Sequence, residues 1–249
     1  MLKQIVDSTR LRTREIDPCM EYEERNALSL EKSLRQQNGR NRIIAEIKFR
    51  SPSEGLIHEY QDPAIIASGY AESGCCGISV LTEPEFFGGD TAFIKNIRPE
   101  IAVPILRKDF IIDEAQIRET AAIGADAVLL IAALPGERLG DFIECSHRYD
   151  LEPLVEVHDE ADMETAISGG ARIIGINNRN LKTMKTELET TKRLAPLASE
   201  RGLTVVCESG IRGPVDVREM RSHCNGFLVG TYLMSAADPA KALEELVCA

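Results

Sequence analysis

The sequence contains no tryptophan and no excess of positive charge: 29 lysines and arginines stand against 40 aspartates and glutamates, a formal net charge of −11. A general nucleic-acid binder carries a basic face, so that class is excluded, although a local cationic site for a small anion is not. No apolar run reaches the roughly 18 residues a membrane span needs, so no membrane partner is expected. The opening stretch, MLKQIVDSTRLRTREID, lacks the apolar core of a secretory signal, which points to a cytoplasmic location. The seven cysteines include no C-x-x-C pair. Scattered in this way they read as reduced, mostly buried residues, with neither a disulfide framework nor a zinc site. A glycine-rich dinucleotide turn is missing after the first strand, and no low-complexity linker interrupts the chain beyond residue 42.

What is present is 249 residues of ordinary globular composition, 43% hydrophobic and 28% charged, enough for one large domain. Residues 1–42 are charged, nine basic against seven acidic, and read as two helical stretches, IVDSTRLRTREI and EYEERNALSLEKSLRQQ. They supply too few apolar residues for a core of their own and are expected to pack as an N-terminal extension on residues 43–249. From residue 43 short β-branched runs alternate with helical stretches, the mark of βα units. Strands are expected at 43–48, 77–82, 103–109, 127–133, 152–157, 172–178, 204–210 and 226–230. Helices are expected at 63–74, 113–124 and 159–170, with Asp113 and Asp159 as N-caps and Gly74, Gly124 and Gly170 at the C-terminal ends. Eight such units in about 205 residues predict a (β/α)8 TIM barrel of the α/β class rather than a doubly wound sheet.

Strands of a parallel barrel should be almost wholly apolar. Here polar residues gather at their C-terminal ends: Glu46 and Lys48, then Arg107, Lys108 and Asp109, then Glu156 and His158, then Asn177, Asn178 and Arg179, and finally Glu208 and Ser209. Burying a charge costs several kcal/mol unless it is paired or used. A structural salt bridge explains any one of these residues, but not five strands ending alike on the face where barrel active sites lie. Ser209-Gly210 and Gly230-Thr231 end the last two strands, where barrels commonly cradle phosphate with loop backbone and a short extra helix. Glu46 and Lys48, two apart, point to one side of their strand. Arg107 beside Lys108 is expected to lower the lysine's pKa, and burial to raise that of Glu156.

Six segments carry a family resemblance over essentially the whole chain. They are Ala45-Glu46-Ile47-Lys48 with Ser51-Pro52-Ser53; Leu81-Thr82-Glu83 through Phe86-Phe87-Gly88-Gly89; and Leu106-Arg107-Lys108-Asp109-Phe110. Leu154-Val155-Glu156-Val157-His158, Gly175-Ile176-Asn177-Asn178-Arg179 and Glu208-Ser209-Gly210-Ile211 complete the set. Together they resemble the indole-3-glycerol-phosphate synthases, the ring-closing enzymes of tryptophan biosynthesis. The resemblance implies a small phosphorylated substrate, 1-(2-carboxyphenylamino)-1-deoxyribulose 5-phosphate, closed to an indole with loss of CO2 and water, and neither metal nor organic cofactor. It implies Lys108 as general acid in ring closure and Glu156 as general base in dehydration. Lys48 would pair with the substrate carboxylate and donate a later proton. Glu46 and Glu208 would hold these groups and the developing positive nitrogen, and Asn177, supported by Arg179, would orient the hydroxyls. Ser51, Ser209, Gly210, Gly230 and Thr231 would hold the phosphate. Phe86, Phe87 and Phe110 are candidates for the wall around the aniline ring, Phe87 foremost. Two departures stand out. Thr231 replaces a frequent serine, and Phe49-Arg50 replaces a more basic pair, with Arg50 expected to compensate in attracting phosphate. Other readings are a phosphosugar isomerase or epimerase, or a catalytically silent phosphate-binding barrel. The isomerases rely on Cys/Asp or Asp/Asp pairs and the epimerases on Asp with metal-binding His, and neither pattern is present. A silent barrel would be expected to have lost Lys108 or Glu156. The chain length argues against fusion to a neighbouring enzyme and leaves assembly with other tryptophan-pathway enzymes open.

Overall fold

In the computed structural model, which describes residues 1–17, 20, 22, 26–180 and 183–249, the β-branched runs form parallel strands. These are β1 (Ile43–Ile47), β2 (Gly77–Leu81), β3 (Ile105–Lys108), β4 (Ala127–Ile131), β5 (Glu152–Val157), β6 (Ile173–Asn177), β7 (Thr204–Glu208) and β8 (Gly226–Val229). They close in the order β1-β8-β7-β6-β5-β4-β3-β2. The expected strands differ from these by no more than two residues at either end. The sheet neighbours of the doubly wound alternative are therefore replaced by a closed barrel, as the structure's pairing of β1 with both β2 and β8 requires.

Helices α1 (Leu2–Thr13) and α2 (Leu30–Arg35) precede the barrel. The others are α3 (Pro63–Glu72), α4 (Pro84–Phe87), α5 (Thr91–Ile97), α6 (Glu114–Ala122), α7 (Leu139–Arg148), α8 (Glu160–Ser168), α9 (Glu189–Ser199), α10 (Pro214–Met220), α11 (Thr231–Met234) and α12 (Pro239–Val247). Their starts follow local chemistry. Asp113 accepts from Ala115 N and completes a capping box with Gln116, and Asp159 accepts from Asp162 N. Gly74, Gly124 and Gly170 follow α3, α6 and α8 with φ of 87°, 95° and 86°, a left-handed turn that a Cβ would strain.

One expectation fails. Among the described residues of the second helical stretch, 21–37, only α2 is helical. The stretch's opening residues Glu21, Glu23, Glu24 and Arg25 lie outside the described residues, and 26–29 are irregular. Two ties to the barrel explain the late start. Leu28 N donates to Asp126, and Ser29 Oγ, which caps α2 by accepting from Lys32 N, donates to Glu152. The chain is held to the barrel's underside there before it can wind.

The core has two layers. Inside the barrel, Ile44, Leu106, Leu129, Leu154, Val206 and Leu228 pack together, closed at the strand N-terminal ends by Leu30 and Leu34 of α2. Outside it, residues such as Val80, Val128, Val155 and Val205 meet the helices. Above the inner apolar layer, at the C-terminal ends of the strands, the inward positions turn polar. Among the described residues no helix is long and apolar enough to cross a membrane, and six free cysteines form no disulfide.

Candidate active site

Parity decides which strand-end residues face inward. Lys108 ends β3 on the interior side, whereas Arg107 faces the helices. Arg107 is buried there against Asp109, Glu119, Thr120 and the Gln116 carbonyl. It therefore does not act on Lys108 as expected. Instead Lys108 Nζ lies 3.2 Å from Glu156 Oε2 and 3.4 Å from Glu208 Oε2. Burial alone would lower its pKa, but Glu156, Glu208 and Glu46 outweigh it and the pKa rises. Across the same mouth, Lys48 Nζ pairs with Glu46 Oε1 at 2.8 Å, the one-sided arrangement expected for residues two apart.

The carboxylates around Lys108 are pushed apart. Burial would raise Glu156, but Lys108, His158 and Asn177 together hold it well below the usual carboxylate range. The expected upward shift is thus reversed, because the site surrounds Glu156 with donors. Burial raises Glu208 to about 8, helped by Glu156 and Glu46 and opposed by Lys108. Separate acid and base duties require a divergence of this kind. Glu208 fits only because β6 carries glycine beside it: a Cβ on Gly175 would collide with the Glu208 carboxylate, and one on Gly230 with that of Glu46. Glu46 Oε2 and Glu208 Oε1 are buried without any hydrogen-bond partner among the described residues. In a native interior such an atom calls for a functional explanation.

These groups floor a cavity of about 880 Å³. Its lining includes Glu46, Lys48, Ser51, Phe87, Lys108, Glu156, Asn177, Arg179, Glu208, Ser209, Gly210, Gly230 and Thr231. Asn177 donates to Glu156 Oε1 at 3.0 Å and accepts the Arg179 N–H. Arg179 reaches back to Ser53 and Glu54. Ser209 and Gly210 both have positive φ, 64° and 96°, and a Cβ on Gly210 would press on Thr186 and Leu188. Gly230 leads directly into α11, whose first-turn N–H groups have no partner within the helix. On the opposite wall Phe87 and Phe110 lie 6.0 Å apart, ring to ring. Phe86 does not line the cavity, and neither does Arg50, an exposed residue whose stem lies against Gly88. Phe49 is buried against Tyr60 and Phe93. The expected compensation by Arg50 is not made in the cavity.

Other contributors escaped the sequence reading. Met1, Leu2 and Ile5 of α1 line the cavity, as do Arg212, Tyr232 and Lys241 near the glycines. Glu83 is fully buried, accepts from the N–H groups of Glu85, Phe86 and Phe87, and so fixes the ring of Phe87. His158, read from the sequence only as a polar strand end, brings Nε2 to 3.3 Å from Glu156 Oε1. Ser79, level with Glu46 in the sheet, buries an unpartnered hydroxyl. A lone serine in the apolar run GISVL was the available signal for it.

Fold and site together define the class: a (β/α)8 barrel with a buried lysine–carboxylate cluster and glycine-bordered strand ends around one cavity at the C-terminal mouth. Comparisons with known proteins narrow it. The sequence profile described as Indole-3-glycerol phosphate synthase matches residues 2–246. Indole-3-glycerol phosphate synthase of Carboxydothermus hydrogenoformans is 44% identical over 224 residues, covering 88% of this chain and 85% of that one. The protein of the same name from Methanopyrus kandleri is 41% identical, covering 82% of each chain. Among solved structures, a tryptophan synthase alpha chain from Legionella pneumophila superposes with a TM-score of 0.62 at 11% identity, covering 87% of this chain and 93% of that one. A thiamine phosphate pyrophosphorylase from Pyrococcus furiosus does so with a TM-score of 0.62 at 18% identity, over 88% and 96%. Those two likenesses speak to fold alone. The chain belongs to the indole-3-glycerol phosphate synthase family of tryptophan biosynthesis.

Proposed function

We propose that the chain closes the indole ring of 1-(2-carboxyphenylamino)-1-deoxyribulose 5-phosphate with loss of CO2 and water, as a cytoplasmic carbon–carbon lyase working by acid–base chemistry. The observation that carries this reading is the Lys108 ammonium between Glu156 and Glu208, facing the Lys48–Glu46 pair across one cavity.

The substrate is anionic at both ends, and the cavity offers matching ends. Its phosphate sits among Ser51, Ser209, Gly210, Gly230 and Thr231, and its carboxylate at Lys48. Phe87 and Phe110 flank the aniline ring. Attack of the aryl carbon on the ketone develops negative charge on the carbonyl oxygen, and Lys108 delivers the proton that neutralises it. Positioned acid catalysis of this kind contributes roughly 10²–10⁴-fold. The nitrogen turns positive in the same step, and the buried, unpartnered oxygen of Glu46, with the dipole of the Glu208 carboxyl, stabilises it. Loss of CO2 removes that positive charge. Dehydration then needs a base and an acid, Glu156 and Lys48, with Asn177 and Arg179 orienting the sugar hydroxyls. The order of events tunes the base. Lys108 holds Glu156 down while charged. Once Lys108 has given up its proton, burial dominates and Glu156 becomes a stronger proton acceptor when dehydration requires one.

Turnover of that substrate by the purified chain, followed by the fluorescence of the indole product, tests the reading. The protein has no tryptophan to obscure the signal. A steady rise is expected, undiminished by EDTA and inhibited competitively by inorganic phosphate. No rise, or activity abolished by EDTA, would overturn it.

A further inference from the structure

Both carboxylate oxygens of Glu156 are engaged. Oε2 faces Lys108 at 3.2 Å, and Oε1 accepts from Asn177 Nδ2 at 3.0 Å. The same Oε1 lies 3.3 Å from Nε2 of His158, and the other ring nitrogen, Nδ1, lies 3.4 Å from Oδ2 of Asp162. Asp162 is anchored in turn, since its Oδ2 accepts the His158 backbone N–H at 3.0 Å. The Nε2 contact is an ion-pair approach and not a hydrogen bond, since Nε2 is buried without a hydrogen-bond partner among the described residues, and a carboxylate close to each ring nitrogen favours the imidazolium. The energetics agree. Burial lowers the pKa of His158, but Asp162 and Glu156 raise it to about 10. The charged groups facing the ring are Glu156 from β5 and Asp162 from α8. Lys108 and Glu208 stand one carboxylate further, beyond Glu156. Glu156 lines the cavity and His158 does not. The side chains of His158 and Asp162 are 15% and 18% exposed, against 3% for Glu156. The row therefore runs from the floor of the cavity to a partly exposed carboxylate on α8.

We propose that His158 is a positioning residue whose charge, anchored by Asp162, holds Glu156 ionised and aimed. The proposal rests on the ring-closing reading above. In dehydration Glu156 takes up the proton that the substrate releases. The imidazolium beside it, protonated at both nitrogens, accepts none, and its charge keeps Glu156 an anion until that moment.

Turnover by the wild-type chain comes first, and its absence would remove the ring-closing reading itself. With turnover established, His158→Gln keeps an N–H donor and loses the charge. Its kcat is expected to fall about tenfold with KM changed less than about twofold. The acid limb of its kcat profile is expected to move up by about one pH unit, because Glu156 is active as carboxylate and its pKa rises when the neighbouring cation is lost. Asp162→Asn keeps an acceptor for the backbone N–H and lets His158 lose its charge more easily, so the alkaline limb is expected to move down. Independently of activity, long-range ¹H–¹⁵N spectra of the four histidines should show one imidazolium persisting above about pH 8, absent from His158→Gln. Wild-type kcat and limbs in His158→Gln overturn the proposal. A lowered melting temperature with unmoved limbs, the mark of a merely structural role, overturns it, as does a His158 signal that titrates near the ordinary value of about 6.5.

Discussion

Lys108 and Arg107 are adjacent cations with opposite fates, and the difference is one of parity. Alternation along a strand sends one into the barrel and the other into the helical layer, so the sequence was sufficient to bring Glu46, Lys48, Lys108, Glu156 and Glu208 to one mouth. It could not supply their pKa values. Those depend on distances across the barrel, such as Lys108 to Glu156 and Glu208, that join residues about 50 and 100 positions apart. Lys108→Ala is expected to lower kcat by roughly 10²–10⁴-fold while fluorescence titration still detects substrate binding. Glu208→Gln addresses a different quantity. The folded chain keeps the Glu208 proton up to about pH 8, and the unfolded chain releases it near the ordinary value of 4.5. Between those limits the folded state binds more protons, so Glu208 makes stability fall as pH rises. The variant is expected to flatten that fall, measured by urea unfolding at a series of pH values, while losing turnover.

At the scale of elements, capping and periodicity made most of the barrel legible. Asp113, Asp159 and the three C-terminal glycines mark helix ends through interactions spanning a few residues, which a sequence displays directly. α2 was overextended because its start is fixed by Asp126 and Glu152, partners over 90 positions away. The role of α1 was hidden for the same reason. Arg12 reaches Asp109 at 2.9 Å, and Met1, Leu2 and Ile5 then complete the cavity wall. α4 shows a small element serving the site. Four residues long, it is held by one buried carboxylate that presents Phe87. Removing a cap costs about 1 kcal/mol. Glu83→Ala is therefore expected to lower the melting temperature by about 2–4 °C. It should also raise KM several-fold through the loss of a fixed Phe87, with thermal melts and steady-state kinetics as the checks.

For the whole molecule, one source of acid sensitivity is the buried junction between α1 and the barrel, apart from the site carboxylate Glu156. Burial would raise Asp109, but Arg107, Arg12 and Thr82 hold it at about 2. Its stabilising contribution is complete above the ordinary value near 3.8 and is lost as the pH falls toward about 2. Asp109→Asn is expected to remove that dependence, so its stability should change less between about pH 4 and pH 2, as calorimetry would register. The order of the sheet has a further consequence. β1 meets β8 through three register pairs, Ile43 with Phe227, Ile44 with Leu228 and Ala45 with Val229. The Glu46–Lys48 pair stands on one side of this seam and Gly230 with Thr231 on the other. A ribosome releases the first of these strands early and the last only after seven others. Until the seam zips, a nascent chain holds Glu46 with Lys48 and Gly230 with Thr231 as two unrelated fragments, so the cavity between them takes shape only after the final strand.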